Sequence, residues 1–141
     1  MRIAIMDGQG AGLGKSIIKR LRKEFDNNIY IVALGTNTIA TSNMVRAGAN
    51  VGITGAKAIC SFCNSKKVEA LIGPIGILCS GALDGEITAE MSSAIFNLDC
   101  KKYILPLRMH EFYIPGTISL QIKDMIEEII CDLKRLEQFI L

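Results

Sequence analysis

Residues 3–16 read Ile3-Ala4-Ile5-Met6-Asp7-Gly8-Gln9-Gly10-Ala11-Gly12-Leu13-Gly14-Lys15-Ser16. The four apolar residues predict a buried strand, and the pattern after the glycines predicts a helix, so the glycines form a strand-to-helix turn. Unpaired backbone N–H groups and the positive end of the helix dipole converge at such a turn, where they attract anions. We expect the glycines to supply positive φ angles and room for a ligand beside the backbone. The stretch therefore predicts a site for a nucleotide or another phosphorylated ligand.

The spacing of the glycines narrows the kind of turn. Gly8, Gly12 and Gly14 form G-x-x-x-G-x-G, which resembles the nucleotide turn of short-chain dehydrogenases, whereas the dinucleotide spacing G-x-G-x-x-G fails. A Walker A loop fails by one residue, because Gln9 stands where its first glycine belongs. The alternative is a turn whose glycines serve close packing alone.

Asp7 directly precedes the glycines, and a carboxylate at this place repels a phosphate. Two roles for it stay open, because an Asp side chain can cap the amides of the loop or bind a hydroxyl of a ligand.

The rest of the chain alternates between strand and helix patterns. Strands are predicted at 29–34, 68–72 and 103–107, with a short edge strand at 112–114. Five helices are predicted: from Leu13 to Phe25, from about 38 to 47, near 56–64, after Thr88 and from about 119 onward. Thr54 is the expected cap of the third helix and Thr88 that of the fourth. In the fifth helix, Ile122 is expected to begin the buried face. We therefore expect a single α/β domain over residues 1–141, three-layered and Rossmann-like, with a mainly parallel sheet and helices on both faces.

The ligand of such a sheet lies beyond the carboxyl ends of its strands. This rule adds three groups of residues to the glycine turn: Gly35, Thr36 and Asn37; Gly73, Pro74 and Gly76; and the stretch from Arg108 to His110. Thr36 and Asn37 stand where NAD-binding proteins carry an acidic residue for the ribose, so only weaker sugar contacts are expected there. The cofactor, NAD(P) or another nucleotide, stays open.

Other chemistry is poorly supported by the sequence. None of the three tyrosines has a lysine four residues later, so a self-contained dehydrogenase of the short-chain kind is not predicted. Cys60 and Cys63 form one C-x-x-C pair, which cannot complete a four-ligand zinc site, and we interpret them as free thiols without metal. Arg108 suits an anion contact, whereas a single loop histidine such as His110 is typically solvated.

The composition of the chain limits the partners and the cellular location that can be expected. The net charge of +2 is too small to argue for nucleic acid, and 50% hydrophobic residues favour a buried parallel sheet together with a homo-oligomer, which we expect to be a dimer. Residues 70–83, the most apolar uncharged stretch, are too few to span a membrane. No signal peptide is predicted, since the charged residues Arg2 and Asp7 bracket only four apolar residues. The five cysteines suit a reducing compartment, so a cytoplasmic location is expected.

Three stretches carry a resemblance to a known family. They are Asp7–Gly10 through Lys15; Leu34–Asn37 with Ala40-Thr41 and Ala47–Asn50; and Ile72–Gly76 with Gly85–Thr88. Together they are similar to a bacterial family of short Rossmann-like proteins described only as a domain of unknown function. The resemblance implies an α/β fold with a shared pocket around these loops, and it implies no activity.

Three hypotheses follow. In the first, the turn binds a nucleotide or dinucleotide: amides of Gly10 to Gly14 hold the phosphates, Lys15 or Ser16 adds a contact, and the protein is a sensor or accessory module. In the second, a small enzyme acts on a phosphorylated metabolite at an oligomer interface, using Asp7, Glu86, Arg108 or His110. In the third, the turn is purely structural and the domain works by protein association.

Overall fold

Five strands and five helices alternate along the residues that the computed structural model describes, 1–107 and 112–140. The strands are β1 (Arg2–Asp7), β2 (Tyr30–Gly35), β3 (Val51–Thr54), β4 (Ala70–Pro74) and β5 (Lys101–Leu105). The helices are α1 (Gly12–Phe25), α2 (Thr38–Ala47), α3 (Ala56–Ser65), α4 (Ala89–Phe96) and α5 (Ile122–Ile140). Two short 3₁₀ helices cover Asp26–Asn28 and Ile75–Leu78.

All strand pairs are parallel, and the sheet order is β3-β2-β1-β4-β5. Side chains alternate across β1, so that Ile3 and Ile5 meet α1, α2 and α5, while Ala4 and Met6 meet α3 and α4 on the other face. Because both faces are covered, β1 is an uninterrupted apolar run. The predicted α/β fold, with a parallel sheet between two helical layers, is confirmed.

The strand order positions a crevice at the carboxyl edge of the sheet. From β1 the chain moves outward to β2 and β3 on one side, and it then returns to build β4 and β5 on the other. The connections after β1 and β4 therefore leave in opposite directions and open a gap between these two strands, where open α/β sheets bind ligands. The glycine turn begins at the end of β1, directly beside this gap.

Strand β3 was not predicted. It has four residues at the edge of the sheet, none of them fully buried, so neither length nor alternation marks it in the sequence. Gly52 further weakens the strand pattern in the sequence. Helix α2 packs directly onto the strand backbone here, because a Cβ at Gly52 would lie 2.8 Å from Cγ2 of Val45. Close packing of α2 thus favours a residue that is a poor strand former.

Three further predictions were wrong. Gly55, not Thr54, is the N-cap of α3, because the Thr54 hydroxyl instead donates to Oγ1 of Thr41 at 2.7 Å. Residues 112–114 form no strand, since the chain turns at once, with the Thr117 amide bonded to the Ile114 carbonyl. Ile122 is 44% exposed at the start of α5, where it does not belong to the buried face of that helix.

We predict that Gly35→Ala destabilises the fold by about 1–3 kcal/mol, because the new methyl would overpack the junction of β2 and α2. A Cβ at Gly35 would lie 2.6 Å from the backbone nitrogen of Thr41, which cannot move without shifting the helix. Denaturant unfolding measures the effect. Gly10→Ala is the matched control, since no other atom lies within 4 Å of the place its new methyl would take, and equal stability of both variants would contradict the prediction.

Candidate functional site

A cavity of about 290 Å³ lies at the carboxyl edge of the sheet between β1 and β4. Its walls are residues 7–13 of the glycine turn, residues 74–76 after β4, and the side chains of Leu83 and Leu107. The structure thus brings two of the predicted groups together, the glycine turn and the Pro74–Gly76 stretch. The apolar walls come mainly from residues that the sequence analysis did not single out: Ile75, Leu83 and Leu107.

The carbonyl oxygens of the turn are all satisfied internally. Those of residues 8–12 each accept a hydrogen bond from within the described chain; the donors are the amide of Ala11, the side-chain amides of Asn37 and Asn43, the amide of Lys15 and the hydroxyl of Ser16, at 2.8–3.1 Å. Acceptors are therefore turned toward protein, which leaves donors as the groups the turn can offer to a ligand.

The amides of the turn divide into two sets. Five of them donate within the protein, namely those of Gly8, Gln9, Ala11, Gly14 and Lys15. The amides of Gly10, Gly12 and Leu13 have no partner among residues 1–107 and 112–140. Ala11 is the N-cap of α1 and supplies no capping side chain, so the first two amides of that helix lack a partner in the described chain, while the third, that of Gly14, is bonded to Asp7.

Asp7 holds the turn from beneath. Its carboxylate is buried, with 7% exposure, and accepts the amides of Gly8 and Gly14, each at 2.8 Å. Burial raises the pKa of Asp7 from 3.8, the two amide bonds oppose this rise, and the nearby charge of Glu86 adds to it. Of the two roles left open for Asp7, the structure shows capping of the loop amides.

Glu86 holds the turn from the side of β2. Oε1 of Glu86 accepts the Gln9 amide at 2.9 Å and the Thr36 hydroxyl at 2.5 Å, and the side-chain amide of Asn37 lies 3.2–3.3 Å from both carboxylate oxygens. Partial burial raises the pKa of Glu86, but the hydrogen bonds from Thr36, Gln9 and Asn37 together outweigh it and bring the pKa below 4.5. The side chains of Thr36 and Asn37 are therefore engaged with Glu86.

The glycines of the site serve two different purposes. A Cβ at Gly8 would lie 2.6 Å from Oγ1 of Thr36, one at Gly14 would lie 2.6 Å from Sδ of Met44, and one at Gly73 would lie 2.8 Å from the carbonyl oxygen of Met6. These glycines, like Gly35, allow close packing. No other part of the described chain lies within 4 Å of the Cβ positions of Gly10 and Gly12, and both glycines border the cavity.

Positive φ angles in the turn do not belong to glycine. They occur at Gln9 and Ala11, with φ of 50° and 56°, and none of the four glycines between residues 8 and 14 has one. Our expectation that the glycines supply positive φ is therefore wrong, and what they supply is the absence of a side chain. Two non-glycine residues in the left-handed region cost of order 1 kcal/mol each, which the contacts of Asp7 and Glu86 with this loop offset.

The remaining predicted residues lie around the cavity without bordering it. Ser16 donates back to the carbonyl of Gly12, and Lys15 is half-buried in the first turn of α1. Five more of the predicted residues do not line the cavity: Gly14, Gly35, Thr36, Asn37 and Gly73. Arg108 and His110 lie outside the described residues.

The cysteines contribute no metal centre to the part of the chain that the structure covers. Cys60 and Cys63 are free, half-buried thiols, and no group of three or more His, Cys, Asp or Glu side chains within 1–107 and 112–140 could hold a metal ion. Burial raises the pKa of Cys63 to about 11, so this thiol is a weak nucleophile at neutral pH. Among the described residues, no helix has the length and apolarity that crossing a membrane requires.

Comparisons with known proteins bear on the family and the fold. The family described as a domain of unknown function, DUF3842, matches residues 2–138, and the chain belongs to it. No curated protein matches. The chain is similar to a solved dodecameric FMN-dependent UbiX-like decarboxylase from Escherichia coli O157:H7, with a TM-score of 0.55 and 16% identity over 100% of this chain and 96% of that one. It is also similar to a universal stress protein from Archaeoglobus fulgidus, with a TM-score of 0.42 and 11% identity over 75% of this chain and 98% of that one. At such identities the first likeness shows the fold alone, and the second carries no argument.

We predict that Glu86→Gln lowers the free energy of unfolding at neutral pH by about 1 kcal/mol, because an amide cannot accept all the bonds that the carboxylate accepts. The folded-state pKa of Glu86 lies below its unfolded value of 4.5, so its stabilising contribution is present above that value and is lost as the pH falls through the folded-state pKa. The difference between the variant and the wild type should therefore shrink in acid. Denaturant unfolding at a series of pH values measures it, with the exposed Glu128→Gln as control, and a difference that persists unchanged in acid would contradict the assignment.

Proposed function

We propose that this protein binds a phosphorylated ligand no larger than a mononucleotide, with the phosphate on the amides of Gly10, Gly12 and Leu13. The observation that carries the proposal is the donor-only character of the turn: its carbonyls are bonded within the protein, while these three amides have no partner in the described chain. A surface that presents donors and the positive end of a helix suits an anion.

The surroundings of the three amides support the same ligand. The first turn of α1 carries no acidic residue of its own, and the carboxylate of Asp7 at this helix end is bonded to the amide of Gly14, not to those of Gly12 and Leu13. Lys15 also lies in that first turn, where its positive charge adds to that of the helix end. The glycine turn and the cavity lie at the switch point of the sheet, between β1 and β4.

The size and lining of the cavity limit the rest of the ligand. A volume of about 290 Å³ is at the small end of ligand sites, which favours one nucleotide over two. Ile75, Leu83 and Leu107 offer an apolar surface for a base or another flat ring. Thr36 and Asn37, which were expected to face the sugar of a dinucleotide, are bonded to Glu86, and this weakens the NAD(P) hypothesis.

Among the residues that the structure describes, the two carboxylates beside the turn are bonded to it, which favours the role of a cytoplasmic sensor or accessory module. Asp7 and Glu86 are committed to holding the loop, so neither is placed as a free general acid or base in the cavity. The fold neighbour named above is described as FMN-dependent. FMN carries a single phosphate and a flat ring, which makes it a suitable first probe.

We predict that FMN or AMP raises the unfolding temperature of the wild type, since a ligand present at 100 times its Kd adds about 2.7 kcal/mol to stability. Gly12→Val should lower the affinity about tenfold or more by filling the ligand's space, because no contact within 4 Å of that Cβ position comes from residues 1–107 and 112–140. Calorimetric titration with FMN, AMP, NAD, NADP and inorganic phosphate measures the affinities. Ala89→Val, at the first position of α4, is the matched control.

Two results would contradict the proposal. One is the absence of binding by every phosphate ester in the panel. The other is binding that Gly12→Val and Ala89→Val leave equally unchanged, which would locate the ligand away from the glycine turn.

We also propose that the protein forms a homodimer through residues 112–122, between β5 and α5. Tyr113 and Ile118 are 75% and 73% exposed, and Phe112, Leu120 and Ile122 add further exposed apolar area to the same segment. Contiguous apolar surface of this kind is unusual on a monomer and typical of an interface between subunits.

Analytical ultracentrifugation tests the dimer. The double substitution of Tyr113 and Ile118 by serine should shift the wild-type dimer toward monomer, because burial of these side chains drives the association. Ile39→Ser is the control, since Ile39 is 67% exposed on α2, away from this segment. A wild type that sediments as a monomer, or a double variant that stays dimeric, would contradict the proposal.

A further inference from the structure

We propose that Glu86 determines the ligand specificity of the site by excluding dinucleotides, because its carboxylate occupies the place of a second nucleotide's sugar. The inference rests on the proposed function, since it concerns the same glycine turn. It also concerns a different half of that turn: the half facing β4 borders the cavity, and the half facing β2 is covered by Glu86.

The polar groups at the place of a second nucleotide's sugar are already bonded to one another. In open parallel sheets of this kind a dinucleotide crosses the glycine turn, and its ribose hydroxyls are held at the end of the second strand. Here that place offers the Thr36 hydroxyl, the side-chain amide of Asn37 and the amide of Gln9, and all three donate to the carboxylate of Glu86. The sequence has no acidic residue directly after β2, but the fold brings the carboxylate of Glu86 to that place. This carboxylate is bonded to donors of the protein itself.

The chain around Glu86 is fixed across the turn. We call residues 81–87 the Glu86 segment. Its ends are joined by the bond from the Gly81 amide to the Ile87 carbonyl at 2.8 Å, and Ala82 and Ile87 are buried in the core beneath α3 and α4. Leu83 and Asp84 between them have positive φ angles of 56° and 54°. The segment is therefore anchored at both sides and bent outward over the glycine turn.

Two further contacts close the half facing β2. A Cβ at Gly8 would lie 2.6 Å from Oγ1 of Thr36 and 2.7 Å from Oε1 of Glu86, so this pair of side chains packs directly against the turn. The Asp84 carboxylate accepts the side-chain amide of Gln9 at 2.9 Å. Asp84 and Glu86 together place two carboxylates on this side, which repel a second phosphate as well as occupying its donors.

Replacement of the Glu86 side chain by one without a carboxylate should therefore allow the site to bind dinucleotides. Without its carboxylate, Thr36, Asn37 and the Gln9 amide become donors for the hydroxyls of a second sugar, while the three amides that hold the first phosphate are untouched. Specificity of this kind is a difference between two affinities, so the effect of the variant is measured as the ratio of dinucleotide to mononucleotide affinity, in which a change of the turn that acts on both classes of ligand cancels.

The test compares NAD and ADP-ribose with AMP and FMN by calorimetric titration of the full chain. The wild type should bind the mononucleotides at least about tenfold more tightly than the dinucleotides. Glu86→Ala should reduce this ratio about tenfold through tighter dinucleotide binding, and Glu86→Gln, which keeps the size and removes the charge, should give a smaller gain. Glu128→Gln is the control for loss of a surface charge and should leave the ratio as it is.

Each outcome bears on one proposal or the other. A folded Glu86→Ala that gains no affinity for NAD or ADP-ribose overturns the inference, whatever the mononucleotides do, and so does a wild type that binds both classes equally. A wild type that binds no mononucleotide overturns the proposed function, while the dinucleotide gain of the variant is still measured against its own wild-type value. If Glu86→Ala fails to fold, the same affinities are measured for Glu86→Gln and Asp84→Ala. If neither variant binds NAD or ADP-ribose more tightly than the wild type does, the inference is overturned.

Discussion

The carboxylate of Asp7 ties the end of the central strand to the first turn of the helix that follows it. It is buried and accepts the amides of Gly8 and Gly14, so one side chain fixes both ends of the glycine turn. The interaction offsets part of the cost of removing the charge from water, and it constrains a loop in which Gln9 and Ala11 hold left-handed backbone angles. The conformation that leaves the amides of Gly10, Gly12 and Leu13 without a partner in the described chain depends on this interaction.

Two carboxylates divide the turn between them. Asp7 takes the amides that face the protein interior, and Glu86 takes the amide that faces β2. What is left, on the side of β4, is a set of three donors beside a small cavity with apolar walls. An acidic environment around an anion site looks contradictory, but both carboxylates are held by donors of the loop, which disperse their charge by hydrogen bonding.

The sequence analysis succeeded where the signal is local and periodic. The apolar run of β1, the helix that follows the glycine turn and the Thr88 cap of α4 all occur as predicted, because each depends on neighbours within one or two turns. It failed at β3 and at residues 112–114. At the first, an edge strand with a glycine has almost no pattern, and at the second an apolar stretch that resembles a strand is diverted by turn bonds.

The order of residues along the chain alone determined that a parallel sheet would form with a glycine turn at the carboxyl edge of its first strand. Periodicity and turn chemistry are properties of adjacent residues, and they need no knowledge of distant ones. Only the tertiary structure decided which amides of that turn stay open, because the Gln9 amide is bonded to a carboxylate 77 residues away. Contacts of such long range arise from the packing of whole elements, and no local pattern encodes them.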